Sequence, residues 1–526
     1  MLAPFFYSIG LLLWLSGPDV AVVSAPGLKA ELAPWVAYRA AQGHRVVWIP
    51  AHPDPRVIRR RIIEQAGRSR LRAVLIVGDH AGPFAVPTFH LPAEVNIHFG
   101  SEALLASDGP YGDLDGDRRP DLPVGRWSVE SAQQVAWQIE KVQVFETARG
   151  SWRKQLHLVV GMGGFGPVID GAIELGTKRL LTRGVPGDYQ ISLTRASWQS
   201  PFCPAPEAFR DCVIDRLNEG GIFWVYMGHG HWNQLDSLQV PGNRYPILLA
   251  EDAGRLQYRH APSIALFFSC YAGAFDVDES LAERFVRARG GPVAAIAASR
   301  VTMPFGMTVL ATGLMDGYFE GRRPTLGEIW FASQQRLMAR RLPLRDRWLE
   351  WTARRLSPKP ELLASEKREH VFLFNLLGDP LLRLPQPQRA TLAVLSPASR
   401  AEPLMISVDV PFSGRGYLTL MNPRQKPRFP LAERTQYRSD RPSAALLTEQ
   451  YHRANDLIWK RMPVEFSRDG THRLSLDLKM LSTDQDRYRL CLYLENEDGR
   501  FATAVHPLVV APPLEAEPDE GRDDSD

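Results

Sequence analysis

The sequence predicts an α/β protein: two consecutive α/β subdomains with mostly parallel sheets, followed by a β-sandwich. Three observations lead there. Between residues 19 and 385, short apolar runs alternate with stretches of helical spacing, the pattern of strands covered by helices on both sides. Several of these runs stop at a glycine followed by a polar or reactive side chain. Beyond Pro385 the hydrophobic period changes to two, in short segments parted by turn residues.

The first subdomain is read over residues 19–150. Val20–Val23 is a strand, and Leu28, Leu32, Trp35 and Val36 then follow at helical spacing until Gly43 stops them. Arg45–Ile49 is a second strand, Val57–Gln65 a helix, and Ala73–Val77 a third strand running into Gly78-Asp79. Val135, Ile139 and Val142 mark a further helical face.

The second subdomain is read over residues 151–385. Its strands are Leu156–Val160, Ile222–Tyr226, Ser263–Ser269 and Pro292–Ala297, with helices at Glu279–Arg289 and Leu326–Arg340. The glycines from Gly161 to Gly166 fit G-x-G-x-x-G, but no Lys-Ser/Thr and no acidic partner follow, so they are read as a turn and not a phosphate loop. Residues 386–512 carry the sandwich, with strands at Thr391–Leu395, Met405–Val410, Gly416–Met421, His472–Leu478 and Arg487–Leu494. Residues 513–526 are acidic and lack aromatics, which predicts a disordered tail.

Residues 1–18 form an apolar segment too short to span a bilayer; it is signal-like but lacks the basic residues that should precede it, or else it packs on the first domain. No other stretch is long and apolar enough for a membrane span, and export to the cell envelope or beyond is expected. With 62 basic and 59 acidic residues the net charge is +3, which gives no reason to expect a nucleic-acid partner. Arg59-Arg60-Arg61 reads as a solvated helix face.

Four cysteines are too few for a disulfide scaffold. Cys203 and Cys212 are close enough in sequence for a local disulfide, and the reading leaves that pairing open. Zinc is disfavoured, because no second Cys/His pair stands nearby. Cys270 and Cys491 remain, and a leftover thiol is inspected as a nucleophile.

Cys270 and His229 each follow a buried strand directly. In an open parallel sheet ligands bind beyond the carboxyl ends of the strands, so neighbouring strands would bring both side chains to one rim. Cys–His chemistry needs that juxtaposition, because the imidazole takes the thiol proton during attack. Gly228 and Gly230 allow close approach of the backbone, and the N–H groups of Gly230 and Cys270 are candidate oxyanion donors. A buried structural cysteine is the competing reading of Cys270 alone.

Tyr226-Met-Gly-His-Gly230 with Trp232 just after, and Ser269-Cys-Tyr-Ala-Gly-Ala-Phe-Asp276, resemble the histidine and cysteine motifs of the gingipain family. Val77-Gly-Asp79, Tyr111–Asp117 with Pro120-Asp121 and Gly125-Arg126, and Leu377-Gly-Asp-Pro380 resemble further landmarks in the family's order, over residues 19–385. The resemblance implies a caspase-like catalytic domain of two α/β subdomains and an immunoglobulin-like sandwich after it. It implies His229 as general base and acid and Cys270 as acyl-accepting nucleophile. Asp170 would orient the histidine, with Glu174 as the alternative. The sequence departs from the usual motif at His231, where a small hydroxyl residue is commoner, and Trp232 comes early for a substrate wall. Ser299–Pro304, starting at Ser299, is the candidate for another wall.

Asp113, Asp115 and Asp117 place carboxylates at alternate positions around Gly116, the spacing of a calcium loop. Val124 stands where a closing glutamate would be, so calcium and an acidic surface turn both remain open. The expected protein is an exported bacterial cysteine endopeptidase acting on protein or peptide substrates. It needs no cofactor for chemistry, and calcium would serve structure. A sortase-like transpeptidase of the same family and a non-catalytic surface-binding protein are the alternatives.

Overall fold

The computed structural model describes residues 17–163, 184–277, 279–339, 343–438, 440–482 and 485–511. The chain divides into two compact units. One comprises residues up to Gln386 together with Leu431–Asn455; the other comprises Pro387–Pro430 and the residues from Asp456 onward.

The first unit is organised by one ten-stranded sheet. In chain order its strands and two small hairpins are β1 (Val20–Ser24), β2 (Val46–Pro50), β3 (Ala73–Val77), β4 (Phe89–Pro92), β5 (Leu104–Ser107), β6 (Val124–Trp127) and β7 (Gln155–Val160). There follow β8 (Gln190–Arg195), β9 (Phe223–Met227), β10 (Ser237–Val240), β11 (Asn243–Pro246), β12 (Ile264–Phe268), β13 (Ala294–Ala298) and β14 (Phe374–Leu377). The sheet order is β2-β1-β3-β6-β14-β13-β12-β9-β7-β8, with β4–β5 and β10–β11 standing apart as hairpins. Every pairing in the large sheet is parallel except β13–β14, which is antiparallel. The strands of residues 19–150 thus form one end, those of the following stretch the other, and β14 closes the seam.

Central strands such as Ala73–Val77, Phe223–Met227 and Ile264–Phe268 are buried on both faces, so they read as continuous apolar runs without alternation. One face carries a core that runs from Val20 and Leu75 to Leu266 and Ile296, covered by helices that include Ala132–Thr147 and Pro304–Phe319. The opposite face has two cores. Ile58 and Ile62 of helix Pro55–Ala66 fill one, and Phe209, Val213 and Leu217 of helix Phe209–Glu219 contribute to the other.

Helix Arg441–Asn455 belongs to this first unit, although it lies within the stretch read as sandwich. It covers the exposed edge of β8. The Asn455 side chain accepts from Leu193 N–H at 2.7 Å and donates to Leu193 C=O at 3.1 Å, standing in for a strand neighbour. Tyr451 adds hydrogen bonds to Thr194 at 2.8 Å and Arg216 at 3.0 Å.

The second unit is a two-sheet sandwich, with orders β15-β22-β21-β18-β19 and β16-β17-β20. These strands are β15 (Gln388–Arg389), β16 (Thr391–Val394), β17 (Leu404–Val410), β18 (Gly414–Met421), β19 (Ile458–Phe466), β20 (Gly470–Leu476), β21 (Arg487–Glu495) and β22 (Phe501–Val509). Along β17, Leu404, Ile406, Val408 and Val410 alternate inward, which is the period of two that the sequence carried. No helix among the described residues is long and apolar enough to cross a membrane.

Candidate active site

β9 and β12 pair in parallel, with Met227 opposite Phe268. Both strands end at that pair, and the turns that carry His229 and Cys270 leave the sheet from the same rim. The backbone confirms how close the two turns run: Gly228 N–H donates to Phe268 C=O at 3.3 Å. A Cβ on Gly230 would stand 2.7 Å from Cys270 C=O and 2.7 Å from Ser269 Oγ, so only glycine fits there. His229, Gly230 and Cys270 are half-buried, whereas Gly228 and Ser269 behind them are buried.

Two hydrogen bonds fix the histidine turn from inside. The buried Tyr226 hydroxyl donates to His229 C=O at 2.7 Å, and Asp236 N–H donates to the same carbonyl at 3.3 Å. Gly161, the first of the glycines read as a turn, packs behind: a Cβ there would meet the Tyr226 hydroxyl at 2.7 Å. Beyond the turn, His231 N–H donates to Gln234 C=O at 2.8 Å, and Gly230 bridges Leu235 in antiparallel fashion. Those flanking bonds make Gly230–Leu235 a non-hydrogen-bonded pair, so Gly230 N–H is directed away from the bridge. Neither Gly230 N–H nor Cys270 N–H meets a backbone or side-chain acceptor among the described residues.

The cysteine turn is tight. Tyr271 has φ +57°, a left-handed conformation uncommon for a non-glycine residue. Ala272 N–H closes on Cys270 C=O at 2.7 Å, and a Cβ on Gly273 would meet Ala297 at 2.7 Å. The thiol itself meets Thr302, whose N–H lies 3.3 Å and hydroxyl 3.5 Å from Sγ. Thr302 is held in turn through its neighbour: Met303 N–H donates to Nε2 of the buried His370 at 2.8 Å. Burial pushes the His370 imidazole down to about 4, so it accepts this bond as the neutral ring.

Two residues not singled out in the sequence therefore touch the site, Thr302 at the sulfur and Asp236 by the histidine. Burial raises the Asp236 carboxyl; the Ser237 N–H at 2.7 Å and the positive charge of His229 partly offset this. Its other oxygen is buried without a hydrogen bond of good geometry, and the Met162 backbone N–H also acts to lower the carboxyl. Thr302 lies within the expected wall segment, but Asp236 had no motif to mark it.

Asp170 and Glu174 lie outside the described residues. Trp232 is half-buried, its ring 5.8 Å from that of His231, and its C=O accepts from Leu281 N–H. Ser299 is corrected as a substrate wall: it is fully buried, and its hydroxyl donates to Ala106 C=O at 2.7 Å. The partly accessible residues of that segment are Val301, Thr302 and Pro304. Cys203 and Cys212 are free thiols, pushed by burial up to about 12 and about 11. Cys491 is also free and buried.

Asp113, Asp115 and Asp117 do converge, with ligand oxygens within 4.8 Å of one another. Asp113 is buried and its carboxylate accepts Gly116 N–H at 2.7 Å and Arg118 N–H at 3.2 Å, which winds the loop. Arg59 lies 3.6 Å from the same carboxylate.

The other landmark motifs are structural. Arg126 is fully buried and forks onto Asp108 at 2.6 and 2.7 Å, while a further nitrogen reaches Gly78 C=O at 2.8 Å. Asp379 is fully buried and accepts from Trp35 at 2.6 Å and Arg39 at 2.7 Å. Asp79 pairs with Arg287 at 2.9 Å.

A half-exposed cysteine and histidine on one rim of an open α/β sheet is the arrangement of a cysteine-type peptidase. The sequence profile of peptidase family C25 matches residues 14–385, and the chain belongs to that family. Among solved structures it resembles the Arg-specific cysteine proteinase gingipain R (RgpB), at 16% identity and a TM-score of 0.51 over 94% of this chain and 98% of that one. The complex of the pro- and mature domains of Porphyromonas gingivalis RgpB gives 15% identity and a TM-score of 0.51 over 94% and 100%. A structure described only as a protease gives 14% and 0.52 over 95% and 98%. At these identities the likeness establishes the fold. No curated protein matches the sequence.

Proposed function

We propose that the protein is an exported cysteine endopeptidase in which His229 and Cys270 act as a dyad. The observation that supports this reading is that β9 and β12 pair in parallel and end together, so the turns bearing the two residues leave one rim, with Gly230 packed on Cys270 C=O and Thr302 N–H on the sulfur. His229 takes the thiol proton as Cys270 Sγ attacks the scissile carbonyl carbon. Gly230 and Cys270 N–H groups donate to the oxyanion. The C–N bond then breaks, His229 returns the proton to the leaving amine, and a thioester remains on Cys270. Water, deprotonated by His229, attacks the thioester; the thiolate leaves and the acid product is released. An amine in place of water would give transpeptidation from the same intermediate.

Asp170 is retained as a carboxylate to orient His229, and Asp236 is a second one, supported by its charge interaction with that histidine. Cleavage of a peptide library, read by mass spectrometry with and without an added amine, tests both outcomes. Hydrolysis products lost in Cys270→Ala support the endopeptidase. Amine-capped products dominating at modest amine concentration would replace it by the transpeptidase. Products unchanged in Cys270→Ala would remove the dyad.

We also propose that Asp113, Asp115 and Asp117 hold a structural calcium, completed by carbonyl or water oxygens, away from bond cleavage. Three convergent carboxylates suit a hard cation, although Arg59 already offsets part of their charge. Calcium bound only by the folded state raises its stability. Chelation should lower the melting temperature, and Asp115→Asn should reproduce the effect; an unchanged melting curve would remove the ion.

A further inference from the structure

A cavity of about 530 Å³ lies beside the Asp113 loop, between helix Pro55–Ala66, the β4–β5 hairpin and helix Leu363–Leu373. No step of the peptidase chemistry uses it. Five arginines line it: Arg56, Arg59, Arg60, Arg118 and Arg368. Three acids line it too, and all are engaged. Glu369 accepts Val95 N–H at 2.7 Å and Asn96 N–H at 2.9 Å. Glu94 bridges Arg118 at 2.9 Å and Arg368 at 3.0 Å, and Asp113 faces Arg59.

Arg56 and Arg60 are left. Both are exposed, one helical turn apart on the same face, and neither guanidinium has a hydrogen-bond or ion-pair partner among the described residues. The cavity floor is apolar. Leu91 pairs with Leu105 across the hairpin, Phe89 stands two residues away on the same face, and Phe372 also lines the cavity. The alternate residue, His90, turns to the other face, and its Nε2 lies 3.1 Å from Asp276 in the turn after Cys270. The hairpin thus carries the cavity on one face and touches the cysteine turn with the other.

We propose that this cavity is an exosite for an acidic stretch of polypeptide, with carboxylates on Arg56 and Arg60 and an aliphatic side chain on the Phe89–Leu91–Leu105 floor. Two unpaired guanidiniums select carboxylates by paired N–H donors, and an apolar floor excludes an anion with no apolar part. A polypeptide offers both at residue spacing, and the substrate class follows from the peptidase reading on which this inference rests. Substrates with acidic segments remote from the scissile bond would be held while the rim cleaves elsewhere.

The test uses the full chain carrying Cys270→Ala, at fixed calcium, and a fluorescein-labelled hexapeptide alternating glutamate and leucine. Fluorescence anisotropy should show binding that weakens with salt. Binding should fall about tenfold or more in Arg56→Glu/Arg60→Glu, and in the milder Arg56→Gln/Arg60→Gln, because the charge-assisted bonds are gone. A glutamine–leucine peptide and a glutamate–serine peptide should bind poorly. Equal binding by the double variants, or by the glutamine peptide, overturns the proposal. So does tight binding of inorganic polyphosphate in place of the peptide. With Cys270 intact, the Arg56/Arg60 variants should turn over a short uncharged reporter as wild type does. Loss of reporter cleavage in every protein, with peptide binding retained, would count against the peptidase reading and leave the exosite standing.

Discussion

The two ends of the ten-stranded sheet use the same sequence device for opposite purposes. At one end β3 runs into Gly78-Asp79, and at the seam β14 runs into Gly378-Asp379. At the other end β9 runs into Gly228-His229. In each case the glycine lets the chain leave the sheet among close neighbours: a Cβ on Gly78 would meet Phe84 C=O at 2.1 Å and one on Gly378 the Ala294 methyl at 2.4 Å. What differs is the saturation of the polar residue that follows. Asp379 spends its carboxylate on Trp35, Arg39 and Leu381 N–H, and is fully buried. His229 and Cys270 sit half-buried, facing backbone donors that have no acceptor among the described residues. A polar group at a strand end is structural when its partners are complete, and available for chemistry when its surroundings leave donors open.

The largest expected contrast comes from exchanging the two roles. Cys270→Ala and His229→Ala should each reduce turnover by about a thousandfold or more while leaving the melting temperature within a few degrees of wild type, and the double variant should be scarcely worse. Asp379→Ala should do the reverse, costing about 3 kcal/mol in a denaturant titration, because Trp35 Nε1 and Leu381 N–H lose their buried acceptor and Arg39 keeps only Glu146 as its carboxylate. A Cys270 variant that unfolds, or an Asp379 variant as stable as wild type, would erase the distinction.

A subtler contrast concerns Asp236. Its negative charge favours the imidazolium of His229, so Asp236→Asn should move the alkaline limb of the kcat/KM profile to lower pH. Stability should change little, since the amide keeps an oxygen for Ser237 N–H and relieves the buried charge. A profile superimposable on wild type would assign the orienting role elsewhere.

A contrast that nearly cancels in the wild type lies in the support of Thr302. His370 is held below its ordinary 6.5, near about 4, by burial, so its contribution to stability is complete above 6.5 and is lost as pH falls toward 4. Glu366 is raised by burial from 4.5 to about 7, despite the Gly306 N–H at 2.8 Å, so its contribution is lost as pH rises over much the same range. Each is worth on the order of 3 kcal/mol, and they oppose. Glu366→Gln should therefore make the protein more acid-sensitive than wild type between pH 6.5 and 4, and His370→Gln less so, in unfolding titrations across that range. Parallel pH dependence in all three would mean the pair does not titrate.

Much of this was legible before the fold was known. The strands Val20–Ser24, Ala73–Val77 and Ile264–Phe268 announce themselves because parallel strands buried on both faces are unbroken apolar runs. The strands β6 and β14 were not read, since Val124–Trp127 contains the buried Arg126 and Phe374–Leu377 contains Asn375. Both polar residues find their partners only in the tertiary structure. Ser299 is ambiguous for a related reason: a serine directly after a strand has the pattern of a site residue, and only the tertiary contact of its hydroxyl with Ala106 C=O makes it structural. Helix Arg441–Asn455 was missed because it is amphipathic toward an edge, β8, far away in sequence.

The most direct measurement is labelling of the full chain by a peptidyl acyloxymethyl ketone, followed by mass spectrometry of the adduct. Of the four thiols, Cys203 and Cys491 are buried and Cys212 is partly so. A single adduct is expected on Cys270 in the folded protein, and its loss in His229→Ala. Modification of another cysteine in preference to Cys270, or labelling of Cys270 that proceeds unchanged without His229, would contradict it.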